Sequence, residues 1–167
     1  MRTSRTMGKE PPPLYTPEER RRRDATVWTT VQGVLAPLQF LVFLASLALV
    51  LRFLMTGEGE GLAAGSILLK TLVLYTIMVT GAIWEKVVFG QYLLAPAFFW
   101  EDMVSFAVIA LHTAYAVMLL GGLGTTIEQM AVALAAYTLY VLNAAQFLLK
   151  LRRARLGAAG VSLAEPA

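Results

Sequence analysis

The chain has 167 residues, 57% of them hydrophobic and only 15% charged, with a mean hydropathy of +0.64. A soluble domain carries about 25% charge and about 45–50% apolar residues, so the balance excludes one and points to an all-α integral membrane protein. Zero cysteines and a single histidine, His112, exclude disulfides, thiolate catalysis, iron–sulfur or cysteine–zinc sites and bis-histidine haem built by this chain alone.

The net charge of +3 gathers at the two ends of the chain, which reads as a membrane-topology signal and implies no nucleic-acid partner. Three parts are expected: a polar basic segment over 1–25, a membrane domain over 26–155 and a flexible tail over 156–167. In the first, Pro11-Pro12-Pro13 precedes Thr16-Pro17-Glu18-Glu19. Thr16 as N-cap, Pro17 at the first helical position and Glu19 three residues on form a capping box. A short interfacial helix through Arg20–Arg23 follows, lying on anionic lipid or serving only to orient the spans. No cleavable signal is expected, because the apolar run after the basic patch is too long and lacks a small-residue cleavage site.

Runs 26–51, 103–127 and 129–149 are free of charge, and 62–84 is interrupted only by Lys70. Each is long enough to cross roughly 30 Å of hydrocarbon at ~1.5 Å per residue. Four transmembrane helices in one bundle are therefore predicted, at about 27–54, 62–88, 98–122 and 128–150. In the first, Pro37 removes a backbone hydrogen bond and kinks the helix. Gln32, Gln39 and Ser46 recur every seven residues on one face, as interhelical glue or as a hold on a ligand's polar substituent. Gly57-Glu58-Gly59-Glu60-Gly61 is a flexible acidic turn. Lys70, in the second span, is either functional or snorkels to the nearby interface.

Residues 81–102 join the two halves through a connector that is itself apolar and aromatic. Trp84, Phe89, Gly90, Tyr92, Pro96, Phe98, Phe99 and Trp100 supply flat faces, a stop and a hinge, while charge is confined to Glu85 and Lys86 at one edge and Glu101 and Asp102 at the other. The pattern suits the floor of a site for a large, flat, apolar ligand. Glu101 and Asp102 fall in the first turn of the third span, where the helix dipole alone favours carboxylates. Against that stands the spacing of Glu101, Ser105, Val108 and His112 at i, i+4, i+7 and i+11 along one face. It separates Glu101 and His112 by roughly 16 Å, as at two ends of one large ligand. His112 is either a hydrogen-bonded core residue or a metal ligand or acid–base group. In the fourth span Tyr140, Asn143, Gln146 and Lys150 approximate one inward face, with Tyr137 a turn earlier.

Arg20–Arg23 at one end and Lys150, Arg152, Arg153 and Arg155 at the other should both face the cytoplasm. Four spans satisfy this, with Arg52 the one dissonant charge. A small cation transporter would be expected to place a carboxylate within a span, and here the carboxylates sit at ends or in turns.

The stretches Leu14-Tyr15-Thr16-Pro17-Glu18, Gln32-Gly33-Val34-Leu35-Ala36-Pro37 and Ile83-Trp84-Glu85-Lys86 are distinctive together. So are Ala95-Pro96-Ala97-Phe98-Phe99-Trp100-Glu101-Asp102, His112-Thr113-Ala114-Tyr115 and Asn143-Ala144-Ala145-Gln146-Phe147. Over about residues 14–155 the chain closely resembles the 3-vinyl (older name 2-vinyl) bacteriochlorophyllide hydratases of phototrophic bacteria. The resemblance implies a hydro-lyase of bacteriochlorophyll biosynthesis that adds water to the C3 vinyl group of a chlorophyllide or bacteriochlorophyllide, giving a 3-(1-hydroxyethyl) group. It implies a multi-pass protein of the bacterial cytoplasmic or intracytoplasmic photosynthetic membrane, with lipid and other enzymes of that biosynthesis as partners. No cofactor is expected, the Mg²⁺ being part of the substrate. A non-catalytic pigment-binding or assembly subunit is the alternative.

Roles are inferred from the chemistry. A carboxylic acid in apolar surroundings suits protonation of an alkene, and Glu101, Asp102 and Glu85 are the candidates, with Glu101 expected to be catalytic and Asp102 mainly a first-turn charge. His112 is the one imidazole available as axial ligand to the substrate's Mg²⁺. Trp84, Lys86, Trp100, Tyr115, Asn143 and Gln146 complete the expected substrate-binding set.

Overall fold

The computed structural model describes residues 13–162, with side chains described as far as Ala154. Residues 1–12, with Pro11 and Pro12, and residues 163–167 lie outside the described part. Among the described residues there are five helices and no strand: α1 (Pro17–Ala25), α2 (Val27–Thr56), α3 (Glu60–Phe89), α4 (Phe99–Gly121) and α5 (Thr126–Ser162).

The helix ends follow local chemistry. The Thr16 hydroxyl accepts from the Glu19 N–H (3.2 Å) and the Glu19 carboxylate accepts from the Thr16 N–H (2.7 Å), which is the capping box expected for α1. Glu18 and Glu19 in its first turn and Arg22 and Arg23 in its last complement the helix dipole. α2 runs two residues past its expected end and stops at Gly57, whose φ of 73° is the left-handed cap geometry that glycine adopts without strain. α5 starts earlier than expected because Thr125 and Glu128 form a second capping box, Thr125 N–H to Glu128 Oε2 (2.7 Å) and Glu128 N–H to Thr125 Oγ1 (3.3 Å). It also continues to Ser162, so the stretch expected to be a flexible tail is helical over 156–162.

α2 pairs chiefly with α3 and α4 with α5, giving two helical hairpins. Contacts of α3 with α4 and of α2 with α5 join them, and α1 docks on α3. Phe43, Val50, Ile67, Leu74, Val108 and Tyr137 are among the residues that fill the shared interior. The outside is apolar as well, with Leu41, Leu72, Val79, Leu120 and Leu148 each more than half exposed. Four helices, α2, α3, α4 and α5 as far as Ala154, are long and apolar enough to cross a membrane. An apolar interior inside an apolar exterior is the pattern of a multi-pass membrane protein, where lipid covers what water cannot.

Within such a bundle the helices gain little from apolar burial alone, so interhelical hydrogen bonds and close packing hold them. Gln32 donates to the Thr80 hydroxyl (2.7 Å), and the Ser46 hydroxyl meets both Ser66 and the Tyr137 phenol (2.6 Å each). The Gln32–Gln39–Ser46 stripe therefore faces the bundle, with Gln39 and Ser46 buried, and two of its members tie α2 to its neighbours. Lys70 does not snorkel: it is 0% exposed, with its ammonium 3.6 Å from the Tyr140 ring centre. It sits too far inside the bundle, on the face toward α5, for its four-carbon stem to reach an interface.

Candidate active site at the connector

Beyond Gly90, where a φ of 85° closes α3, the chain folds back along that helix before α4 begins. The fold-back is held by two carboxylates. Asp102, in the first turn of α4, accepts from the Leu94 N–H (2.7 Å), and Glu85, near the end of α3, accepts from the Ala95 N–H (3.2 Å). Leu94 lies at φ 60°, in the left-handed region that leucine rarely occupies. Backbone strain of this kind persists where the surroundings over-determine it, and here two buried acids grip successive N–H groups. The same geometry brings the carboxyl groups of Glu85 and Asp102 against each other.

Glu101, the sequence neighbour of Asp102, reaches toward α5, where it pairs with Lys150. The Lys150 ammonium also donates to the Ala97 carbonyl and lies 5.0 Å from the centre of the Phe98 ring. Glu85, Glu101 and Asp102 are each about 5% exposed. All three carboxyl candidates are thus gathered at the connector, and Lys150, whose expected place was only on an inward face, completes the group. Asp102 is more than a first-turn charge, since it is buried, bonded to the connector and in contact with a second carboxyl.

An aromatic wall closes over these acids. Phe98 packs on Trp84 (5.7 Å), Phe89 (5.9 Å) and Phe147 (5.8 Å). Tyr15, brought in by the segment before α1, stacks on Phe89 at 5.8 Å with ring planes 10° apart. Burial pushes the Tyr15 phenol up, and the Arg23 guanidinium 4.8 Å from its ring opposes that shift. The Trp84 indole N–H donates to Thr29 (2.9 Å), fixing the ring's edge. Beside the wall runs a groove of about 440 Å³ lined by Pro13, Leu14, Glu19, Phe89, Pro96, Ala97 and Lys150, a size typical of small-molecule sites. Its Tyr15 and Phe147 neighbours were not among the expected site residues, although both lie within the distinctive stretches and Phe147 stands two turns from Tyr140.

The other expected residues do not all come here. Lys86 is exposed and donates to the Gly90 carbonyl (2.7 Å). Trp100 is 71% exposed on the outer surface. Gln146 is exposed too, so the inward face of α5 is Tyr140, Asn143, Phe147 and Lys150 rather than one running through Gln146. A helix advances about 100° per residue, and the one-residue difference carries Gln146 off the buried stripe. His112, Tyr115 and Asn143 lie in the bundle interior, away from the groove. His112 is 0% exposed and its Nδ1 donates to the Val108 carbonyl (2.8 Å). Asn143 donates to the Ser105 hydroxyl (2.7 Å). A macrocycle could reach the His112 ring only if the helices parted. Among the described residues no three His, Asp or Glu side chains cluster as metal ligands.

The arrangement offers two touching carboxyls, a third carboxylate held by an ammonium, and an aromatic wall beside a groove. Such a site can donate a proton, accept one and hold a flat apolar ligand. The family model for 2-vinyl bacteriochlorophyllide hydratase matches residues 15–153. A 2-vinyl bacteriochlorophyllide hydratase of Rhodobacter capsulatus is 70% identical over 146 residues, covering 87% of this chain and 85% of the relative. One of Cereibacter sphaeroides is 70% identical over 143 residues, covering 86% of this chain and 89% of the relative. No solved structure matches. The matched span takes in the segment before α1, the connector and all four membrane helices, and the chain belongs to the 2-vinyl bacteriochlorophyllide hydratase family.

Proposed function

We propose that this protein hydrates the vinyl group of a bacteriochlorophyllide or chlorophyllide, with the macrocycle against the aromatic wall and the acids of the connector as its proton machinery. The observation that carries the reading is the contact of Glu85 and Asp102 beside that wall, in a chain of this family. Two ionised carboxylates in contact repel, so such a pair can hold one proton between them. That proton goes to the terminal CH₂ of the vinyl group, because the cation left on the ring-proximal carbon is delocalised into the macrocycle. A water oxygen then bonds to that carbon. Its surplus proton passes to the Glu101 carboxylate, which the Lys150 ammonium holds in place. Return of the proton from Glu101 to its sequence neighbour Asp102 restores the pair, and the net change is the addition of one water. No cofactor enters the balance, and the Mg²⁺ belongs to the substrate.

Both termini face the cytoplasm in this reading, supported by Arg20–Arg23 and by Lys150, Arg152 and Arg153 flanking the spans. The connector is then on the cytoplasmic side of the photosynthetic membrane, open to other enzymes of the same biosynthesis. Because the chain has no cysteine, single-cysteine labelling with an impermeant reagent tests the orientation. Reaction in intact cells at Ser4 but not at Gly59, each changed to Cys, would reverse it.

The reaction is tested with purified protein, 3-vinyl chlorophyllide and buffer alone. The expected product is the 3-(1-hydroxyethyl) pigment, carrying one labelled oxygen when the water is ¹⁸O-labelled. Label from O₂ instead would make the protein an oxygenase, and pigment binding without turnover would make it a carrier.

A further inference from the structure

A second polar region lies in the middle of the bundle, and the steps above do not use it. Lys70 Nζ, His112 Nε2, the Tyr115 hydroxyl and Asn143 Oδ1 are buried without a hydrogen-bond partner among the described residues. Lys70, His112 and Tyr115 are 0% exposed and Asn143 is 9% exposed. Buried polar atoms in proteins are almost always bonded, to protein or to ordered water, and four orphans in one bundle interior is an unusual concentration. They are spread along the buried face of α4, and two of them, Lys70 and His112, are neighbours. The Lys70 ammonium sits on the Tyr140 ring at 3.6 Å, close enough to His112 for the two to interact electrostatically. The His112 ring lies 5.8 Å from that of Tyr137, whose hydroxyl continues to Ser46 and then Ser66.

The region is continuous with the acids. α4 buries Glu101, Asp102, Ser105, Val108, His112 and Tyr115 on one face. Ser105, one turn from Glu101, is bonded to Asn143, whose free carbonyl oxygen is the first of the orphan atoms. The line from Asp102 to Tyr115 is about 20 Å long, with polar atoms on three helices. The line offers both donors (Lys70, Tyr115) and acceptors (His112 Nε2, Asn143 Oδ1), which suits a small ligand able both to donate and to accept.

We propose that this interior cluster is a binding site for water, a chain of ordered molecules held by Lys70, His112, Tyr115 and Asn143 that leads to the acid cluster. A buried water makes about three hydrogen bonds, mostly to groups the protein leaves unbonded, and these four atoms supply such partners. Resting on the hydratase reading, the same chain supplies the reacting water: each turnover consumes one, and Asn143 with Ser105 is the step at which it reaches Glu101 and Asp102.

The presence of water and its delivery are tested separately. His112 is the single histidine of the chain, so uniform ¹⁵N labelling of the full-length protein in bilayers gives one unambiguous imidazole signal alongside the backbone amides. In water-edited solid-state NMR that signal should build up at least about fivefold faster than the backbone amides of Val50 and Ile67. Build-up as slow as at those apolar positions overturns the water site, whatever the activity. For delivery, Asn143→Leu should lower kcat at least tenfold with KM for pigment unchanged, and Ser105→Ala should lower it less. Wild-type kcat in Asn143→Leu overturns the delivery role, as does a rise in KM without loss of kcat. If Asn143→Leu does not fold, Ser105→Ala decides by the same kcat and KM criteria. A hydrated His112 in a protein with no hydratase turnover would remove the reaction proposed above and leave the water site standing.

Discussion

The connector and the bundle interior lie on the same face of α4, about three turns apart, and they bond in opposite ways. At the connector each acid meets a partner fixed by the fold: Glu85 and Asp102 take backbone N–H groups and each other, and Glu101 takes Lys150. In the interior, four polar atoms of Lys70, His112, Tyr115 and Asn143 take none among the described residues. A group tied to its neighbours keeps its geometry when the helices breathe, while an untied one remains available to something that comes and goes. The proposed reaction steps at the connector and the proposed transient occupancy in the interior both rest on that difference.

Breaking the contrast should cost most at the connector. Asp102→Asn and Glu85→Gln each remove half of the proposed proton donor, and each should lower kcat by ~10²–10⁴-fold, the usual effect of a lost general acid. Turnover of 3-vinyl chlorophyllide at matched protein abundance measures it; mild, equal effects would return both residues to a purely structural role. Lys150→Met leaves the Glu101 carboxylate buried and unpaired, which should destabilise the protein by roughly 3 kcal/mol, the lower end for a broken buried pair because Lys150 is partly exposed. Thermal unfolding in detergent tests it. Lys70→Met sharpens the other side: no hydrogen bond or ion pair is abandoned, only the contact of the ammonium with the Tyr140 ring, so the same measurement should show a change of no more than about 1 kcal/mol, toward greater stability. A loss comparable to that of Lys150→Met would mean that Lys70 is tied after all. The smallest effect is expected for Tyr137→Phe, which removes one interhelical hydrogen bond to Ser46, at about 0.6 kcal/mol.

What the sequence discloses follows from how local each cause is. The α1 capping box was legible because Thr16, Pro17 and Glu19 act within one turn, and the same T-x-x-E logic at Thr125 and Glu128 was there to be used. The buried face of α4 was legible because a helix repeats its register, so Glu101, Ser105, Val108 and His112 had to fall together. On α5 the same register admitted either Gln146 or Phe147, and only packing against Phe98 decides for Phe147. Glu101 and Lys150 are 49 residues apart, and no local signal joins them. Asp102 was named as a candidate, but its hold on the connector was hidden for the opposite reason: an acid in a first helical turn already has a local explanation. The left-handed Leu94 carries no mark in the sequence, since its conformation is imposed by the two carboxylates that grip the connector.

The fold-back of that connector, as the proposed site, also sets where the protein would meet its substrate. α3 has 30 residues and α4 has 23, so at ~1.5 Å per residue α4 is shorter by about 10 Å. The chain makes up the difference by doubling back beside α3. Tyr92 and Trp100 stand exposed on either side of this segment, and residues of that kind settle at the level of the lipid headgroups. In the proposed reading a pigment dissolved in the bilayer encounters the protein by diffusing in two dimensions, without crossing water. Its effective concentration is a mole fraction of the surrounding lipid. Adding inert lipid or detergent at a fixed amount of pigment should then slow turnover by surface dilution, although the concentration per volume of buffer has not changed.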